Sequence, residues 1–113
     1  MKPKQDIRPW GSEEIFTTNE KTTVKILTIN PAERCSLQYH NKRKEFWKII
    51  EGEMIVQIGE QQIDSMVGDE YEIEIGVKHR IIGKDKPAKI LEISFGDFDE
   101  NDIVRLEDDY GRK

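Results

Sequence analysis

Little in this 113-residue chain can cross-link it, carry it through a membrane or hold it on nucleic acid. The only cysteine, Cys35, excludes an internal disulfide. With no histidine at an evident pairing distance, it reads as a packed thiol rather than a nucleophile. No apolar run is long enough to span a bilayer and no charged-then-apolar amino-terminal signal is present, so the expectation is a soluble, cytoplasmic protein with no membrane partner. A formal net charge of −5 argues against general nucleic-acid binding, whose phosphate contacts require a surplus of Lys and Arg. It leaves room for a local basic pocket. Internal repeats, low-complexity tracts, linkers and sustained helical stripes are all missing. The length suits a single domain over residues 1–113 with one modest core.

Short runs of β-branched and aromatic residues, separated by turn residues, fill the chain instead. Strands are expected near Thr23–Asn30, Ser36–His40, Glu45–Glu51, Glu53–Ile58, Tyr71–Ile75, His79–Ile82 and Ala88–Phe95. Tyr71-Glu72-Ile73-Glu74-Ile75 alternates most cleanly, one face apolar and one acidic, as a half-buried strand does. Glu51-Gly52-Glu53 and Gly59-Glu60-Gln61 read as turns, and Lys84-Asp85-Lys86-Pro87 as a polar loop. Many short strands at regular spacing favour an all-β sandwich or closed barrel, here a jelly roll.

Histidine is scarce too, with two residues, and both fall into one constellation: Gln38, His40, Glu45 and His79. Residues two apart in a strand share a face, so Gln38 and His40 can converge while Tyr39 points away. Glu45, past a short polar turn, can return to the same pocket, and His79 arrives from a later strand. An amide oxygen, two imidazoles and a carboxylate form a mixed N/O site for a divalent metal, with Zn favoured and Mn, Co, Ni or Fe also compatible. The bland alternative is two histidines with no ligand role.

These positions, with Gly52, Gly68, Gly76 and Gly83, resemble the two motifs of the cupin double-stranded β-helix, with Gln38 in place of the first histidine. The resemblance narrows on four segments. They are Arg8-Pro9-Trp10-Gly11-Ser12; Ser36-Leu37-Gln38 with His40, Arg43, Glu45 and Trp47; Gly76-Val77-Lys78-His79-Arg80; and Asp102-Ile103-Val104-Arg105-Leu106-Glu107-Asp108-Asp109-Tyr110-Gly111-Arg112. In that order they are similar to the type II mannose-6-phosphate isomerase family, in which this module often forms the carboxy-terminal half of a bifunctional enzyme. The likeness runs from Arg8 to Arg112. The nucleotidyltransferase half has no counterpart here, so guanylyltransferase activity is not expected.

The resemblance implies a cupin that interconverts mannose 6-phosphate and fructose 6-phosphate with a divalent metal, its partner a small phosphorylated sugar. A cation on neighbouring sugar oxygens stabilises the charge that develops as a proton moves between adjacent carbons. Arg43 and Lys42 then become the catalytic candidates, and Arg8, Lys78, Arg80 and Trp47 the substrate-binding ones, because cations suit phosphate and an aromatic face suits a sugar ring. Each has a plain alternative, as solvated charge or buried packing; Trp10 and Tyr110 share it. No general base stands out, since Glu45 belongs to the metal set. Exposed barrel edges point to a homodimer.

The chain also departs from the family. Gln-Met-His-His-His-Arg-Ala-Glu-His-Trp becomes Gln38-Tyr39-His40-Asn41-Lys42-Arg43-Lys44-Glu45-Phe46-Trp47, Pro-Ala-Gly becomes Glu74-Ile75-Gly76, and a final-strand glutamine becomes Ser94. The four ligands survive while other imidazoles are lost. Three hypotheses follow: a sugar-phosphate isomerase, a non-catalytic cupin binding metal or sugar phosphate, and another metal-dependent cupin enzyme such as an oxygenase. The segment Asp102–Arg112 is expected to pack on the barrel, with Glu107-Asp108-Asp109 exposed and Arg105 and Arg112 either pairing with it or folding over the barrel mouth.

Overall fold

The computed structural model describes residues 2–113. Among them run eleven strands: β1 (Lys4–Arg8), β2 (Gly11–Ile15), β3 (Thr22–Ile29), β4 (Leu37–Tyr39), β5 (Glu45–Glu51), β6 (Glu53–Ile58), β7 (Gln61–Met66), β8 (Glu70–Ile73), β9 (His79–Gly83), β10 (Ala88–Phe95) and β11 (Val104–Glu107). No helix among the described residues is long and apolar enough to cross a membrane.

Two antiparallel sheets, ordered β3-β10-β5-β8 and β11-β4-β9-β6-β7, form the body, and β1 pairs only with β2. This is the expected jelly roll. All seven expected strands are present within a residue or two at most ends, and β1, β2, β7 and β11 are added. Their sequences, such as KQDIR and QQIDSM, are too polar to announce strands. β7 forms because β6 is already ordered beside it and the Gly59-Glu60 turn brings Gln61 opposite Ile58.

The chain changes sheet at Gly52, between β5 and β6. Its φ of 75° is left-handed, and a Cβ there would lie 2.8 Å from the Pro87 carbonyl oxygen, so only glycine fits this corner. Between the sheets, Trp47, Ile49, Met54, Val56, Ile73, Ile81, Ala88 and Ile90 form the core. Strand alternation places Glu45 on the inner face with Trp47 and Ile49, and His79 with Ile81.

The carboxy-terminal segment is packed as expected. β11 pairs with β4, Arg34 holds Asp109 at 2.7 and 2.9 Å, and the Tyr110 hydroxyl donates to Glu33 at 2.6 Å. Arg112 pairs with Asp108. Cys35 is a packed thiol: the Ile81 N–H donates to its sulfur at 3.0 Å, and burial raises its pKa.

Candidate metal centre

His40, Glu45 and His79 meet inside the barrel, all three buried, with their potential ligand atoms within 4.8 Å of one another. His40 leaves the end of β4, Glu45 opens β5 and His79 opens β9. The Gly76 N–H donates to the His40 carbonyl at 2.8 Å, fastening the two ligand-bearing segments together. Gly76 adopts φ 81°, again a glycine conformation.

Hydrogen bonds fix both rings. His40 Nδ1 lies 2.7 Å from the Asp102 carbonyl oxygen and His79 Nδ1 lies 2.9 Å from that of Val77. A carbonyl can only accept, so each Nδ1 carries a proton and each Nε2 is turned inward, with His40 Nε2 also 3.5 Å from Arg43 Nη2. Those nitrogens face the Glu45 carboxylate at 3.6 Å for His40 and 3.9 Å for His79. Burial, the leading cause, lowers the His79 pKa and so favours the neutral form of the ring. His79 Nε2 has no hydrogen-bond partner among the described residues.

Around Glu45, Trp47 Nε1 donates to one carboxylate oxygen at 3.1 Å. Arg43 Nε and the Ser94 hydroxyl donate to the other at 3.2 and 3.3 Å. Burial works against its ionisation, but the hydrogen bonds from Glu92 and Trp47 help to hold it below the usual carboxylate range. Lone pairs pointing at a carboxylate repel one another, and a buried acceptor without a donor is costly. A cation between them resolves both problems, so the donor set fits a divalent ion with two imidazoles and one carboxylate.

Gln38, the fourth expected ligand, stands directly opposite His79 in the β4–β9 pairing. Its amide oxygen accepts the Ser36 hydroxyl at 2.6 Å. An open cavity of about 640 Å³ is lined by Lys25, Gln38, Arg43, Glu92, Phe98 and Arg105, among others, and it adjoins the trio through Arg43 and Glu92, which both bond Glu45.

The other expected site residues separate into those at the cavity and those away from it. Arg43 lines the cavity, but its fork is engaged: Nε on Glu45, Nη1 on the Asp99 carbonyl at 3.0 Å and its plane over Phe98. Trp47 is buried at 2% exposure against the His79 ring, so it supports Glu45 and His79 rather than offering a face to a sugar. Arg80 points to the opposite face of β9 from His79, where it bonds the Cys35 carbonyl and Glu107. Lys78 pairs with Glu60. Arg8 pairs with Asp6 and Glu13 in the β1–β2 hairpin. The Lys42 side chain is exposed; its backbone N–H, with that of Asn41, binds the Asp102 carboxylate. Trp10 is exposed at the hairpin turn, and Tyr110 lines a different cavity with Arg34 and Arg112.

Sequence reasoning missed Glu92, Asp102, Lys25 and Phe98. Glu92 is buried on β10 opposite Trp47, and burial followed by the charge of Glu45 pushes it up to about 8. The alternation Ile90-Leu91-Glu92-Ile93-Ser94 put a carboxyl on the inner face of a core strand, a usable signal. Asp102 lay inside the recognised closing segment, but nothing local said that it would orient His40.

The comparisons agree with this architecture. Residues 2–108 match the family model described as mannose-6-phosphate isomerase C-terminal. Xanthan biosynthesis protein XanB of Xanthomonas campestris is 36% identical over 107 residues, 93% of this chain and 23% of that protein. Mannose-1-phosphate guanylyltransferase ManC of Salmonella typhimurium is 33% identical over 93% of this chain and 22% of its own length. The chain thus spans less than a quarter of these relatives. Among solved structures, a sugar phosphate isomerase of the cupin superfamily from Silicibacter pomeroyi superposes with TM-score 0.62 at 19% identity, covering 80% of this chain and 69% of that one. This likeness supports the cupin fold.

Proposed function

The chain belongs to the mannose-6-phosphate isomerase C-terminal family, and on that premise we propose that it is a metal-dependent sugar-phosphate isomerase interconverting mannose 6-phosphate and fructose 6-phosphate. The observation that carries the reading is the convergence of His40 Nε2 and His79 Nε2 on Glu45, next to a cavity whose lining residues Arg43 and Glu92 bond that carboxylate. His40, Glu45 and His79 would hold the ion, with Gln38 beside them. A bound divalent cation would stabilise negative charge on the sugar's carbonyl and hydroxyl oxygens. Asp102 and Val77 hold the imidazoles in the ligating tautomer through their carbonyls, and Trp47, Arg43 and Ser94 orient the carboxylate.

An aldose–ketose isomerase must also carry a proton between adjacent carbons. We assign that role to Glu92, which faces the cavity next to Glu45 but lies outside the trio. Arg43 would then act mainly through Glu45, as a positioning residue. A coupled assay with mannose 6-phosphate under Zn, Mn, Co and Ni tests the activity. Turnover with at least one metal is expected; its absence with all four overturns the isomerase reading and leaves a binding module.

The proposal extends to a homodimer. The hairpin reaches its own barrel through Glu14 on Lys48 and Phe16 on Phe46, covering the β5 side of the sheet's outer face. Val24 and Ile26 on β3, and Ile7 and Trp10 on the hairpin, stay largely exposed. An isolated hairpin is only marginally stable in water, and a second copy laid across β3 would cover both apolar sets. Light scattering should give twice the chain mass, reverting to one chain in Ile7→Ser/Trp10→Ser; a monomeric wild type ends the idea.

A further inference from the structure

Resting on the sugar-phosphate reading of this cavity, we propose that Arg105, assisted by Lys25 on the facing sheet, is the anchor for the phosphate group. The argument begins with elimination. A phosphate needs donors that are free, and Arg8, Lys78 and Arg80 are ion-paired away from the cavity. Arg43 lines the cavity but already holds Glu45 and the Asp99 carbonyl. Arg105 also lines the cavity, and its Nε is buried without a hydrogen-bond partner. No ion pair engages it among the described residues.

Register then places it. Arg105 stands opposite Gln38 on the β11–β4 pairing, and Gln38 stands opposite His79 on β4–β9. Paired residues share a face, so Arg105, Gln38 and His79 form one row across the sheet. Two strand spacings separate its ends, about 10 Å. That span is comparable to the length of an open-chain hexose phosphate, whose reacting carbons lie at one end and whose phosphate lies at the other. A sugar with its carbonyl end at His79 therefore delivers its phosphate to Arg105, past the amide of Gln38. From the opposite wall, Lys25 lines the same cavity with its ammonium over Phe98. A guanidinium fork and an ammonium on facing walls suit a phosphomonoester dianion. Glu100, the other acidic group of the lining besides Glu92, is exposed, where solvent weakens its repulsion.

Calorimetric titration of metal-loaded protein with mannose 6-phosphate, inorganic phosphate and mannose tests the anchor, alongside steady-state kinetics. Wild type should bind mannose 6-phosphate and phosphate, and mannose far more weakly. Arg105→Gln should weaken both phosphorylated ligands by about 10- to 100-fold, the scale of lost hydrogen bonds to a charged group. Its metal content and circular dichroism should stay unchanged, KM should rise more than kcat falls, and Arg105→Lys should restore part of the loss. Lys25→Gln should weaken binding in the same direction, which keeps the test valid should Arg105→Gln fold poorly. Unchanged KM and affinity in both Gln variants overturn the anchor while leaving the isomerase reading intact. Arg105-dependent phosphate binding without any turnover upholds the anchor while the isomerase reading fails. A wild type that binds neither phosphate nor mannose 6-phosphate overturns the anchor outright.

Discussion

The two ends of this barrel are made from the same strands and have opposite chemistry. β5 runs inward-facing from Glu45 through Trp47 to Ile49, β9 from His79 to Ile81, and β10 in reverse from Ile90 through Glu92 to Ser94. One end is closed by Ile49, Met54, Ala88 and Ile90, each fully buried. The other gathers His40, Glu45, His79 and Glu92, nearly as buried but polar. The apolar end gains stability from area removed from water and needs only good packing. Every group at the polar end needs a partner, and His79 Nε2 has none among the described residues. In the proposed metal centre the polar end is therefore the part that a cation would stabilise, and the apolar end holds the strands still beneath it.

Substitutions at each end can break this contrast. The largest effect is expected for Glu92→Gln, which should lower mannose 6-phosphate turnover by about 10²- to 10⁴-fold, the range for a lost proton-transfer group. Metal content by atomic emission should stay at the wild-type level; unchanged turnover removes Glu92 from the chemistry. Next, Ile90→Ala should destabilise the fold by about 2–5 kcal/mol in urea titration. Folded Ile90→Ala protein should still bind metal with wild-type stoichiometry. A matching loss of metal affinity would mean that the two ends are not separable.

His79→Ala should reverse that pattern, losing at least about 100-fold in metal affinity, beyond the range for a supporting contact, with a much smaller stability change measured without metal. Trp47→Phe, which removes only the indole donor to Glu45, should cost about 10-fold in metal affinity. Wild-type affinity in Trp47→Phe would show that Arg43 and Ser94 suffice to orient the carboxylate. The smallest effect is chemical. Burial raises the Cys35 pKa, so its reactive thiolate is rarer than in the unfolded chain at the same pH, and iodoacetamide should label the native protein more slowly than the urea-unfolded protein; equal rates would show that the thiol is not held as packed.

Much of this was legible in the chain. Alternation and glycine punctuation gave the seven strands that carry the core, and the spacing of His40, Glu45 and His79 gave the trio, because side-chain direction in a strand has period two wherever the strand ends up. The partners of the cations were not legible. Arg80 and His79 are neighbours in sequence, but successive residues face opposite sides of β9, and the same periodicity that brings His79 inward sends Arg80 to Glu107. Arg43 sits in the motif, and only the folded structure shows its guanidinium held by Glu45 and the Asp99 carbonyl.

By itself, then, the sequence determined an all-β barrel with two inward histidines and a carboxylate, since periodicity and turn chemistry act over a few residues. Tertiary structure decided the rest: that Asp102 orients His40, that Glu92 lies beside Glu45, and that Arg105 shares a row with His79. Each of these depends on which strands pair and in what register, and register is set by packing of the whole barrel rather than by any local run of residues.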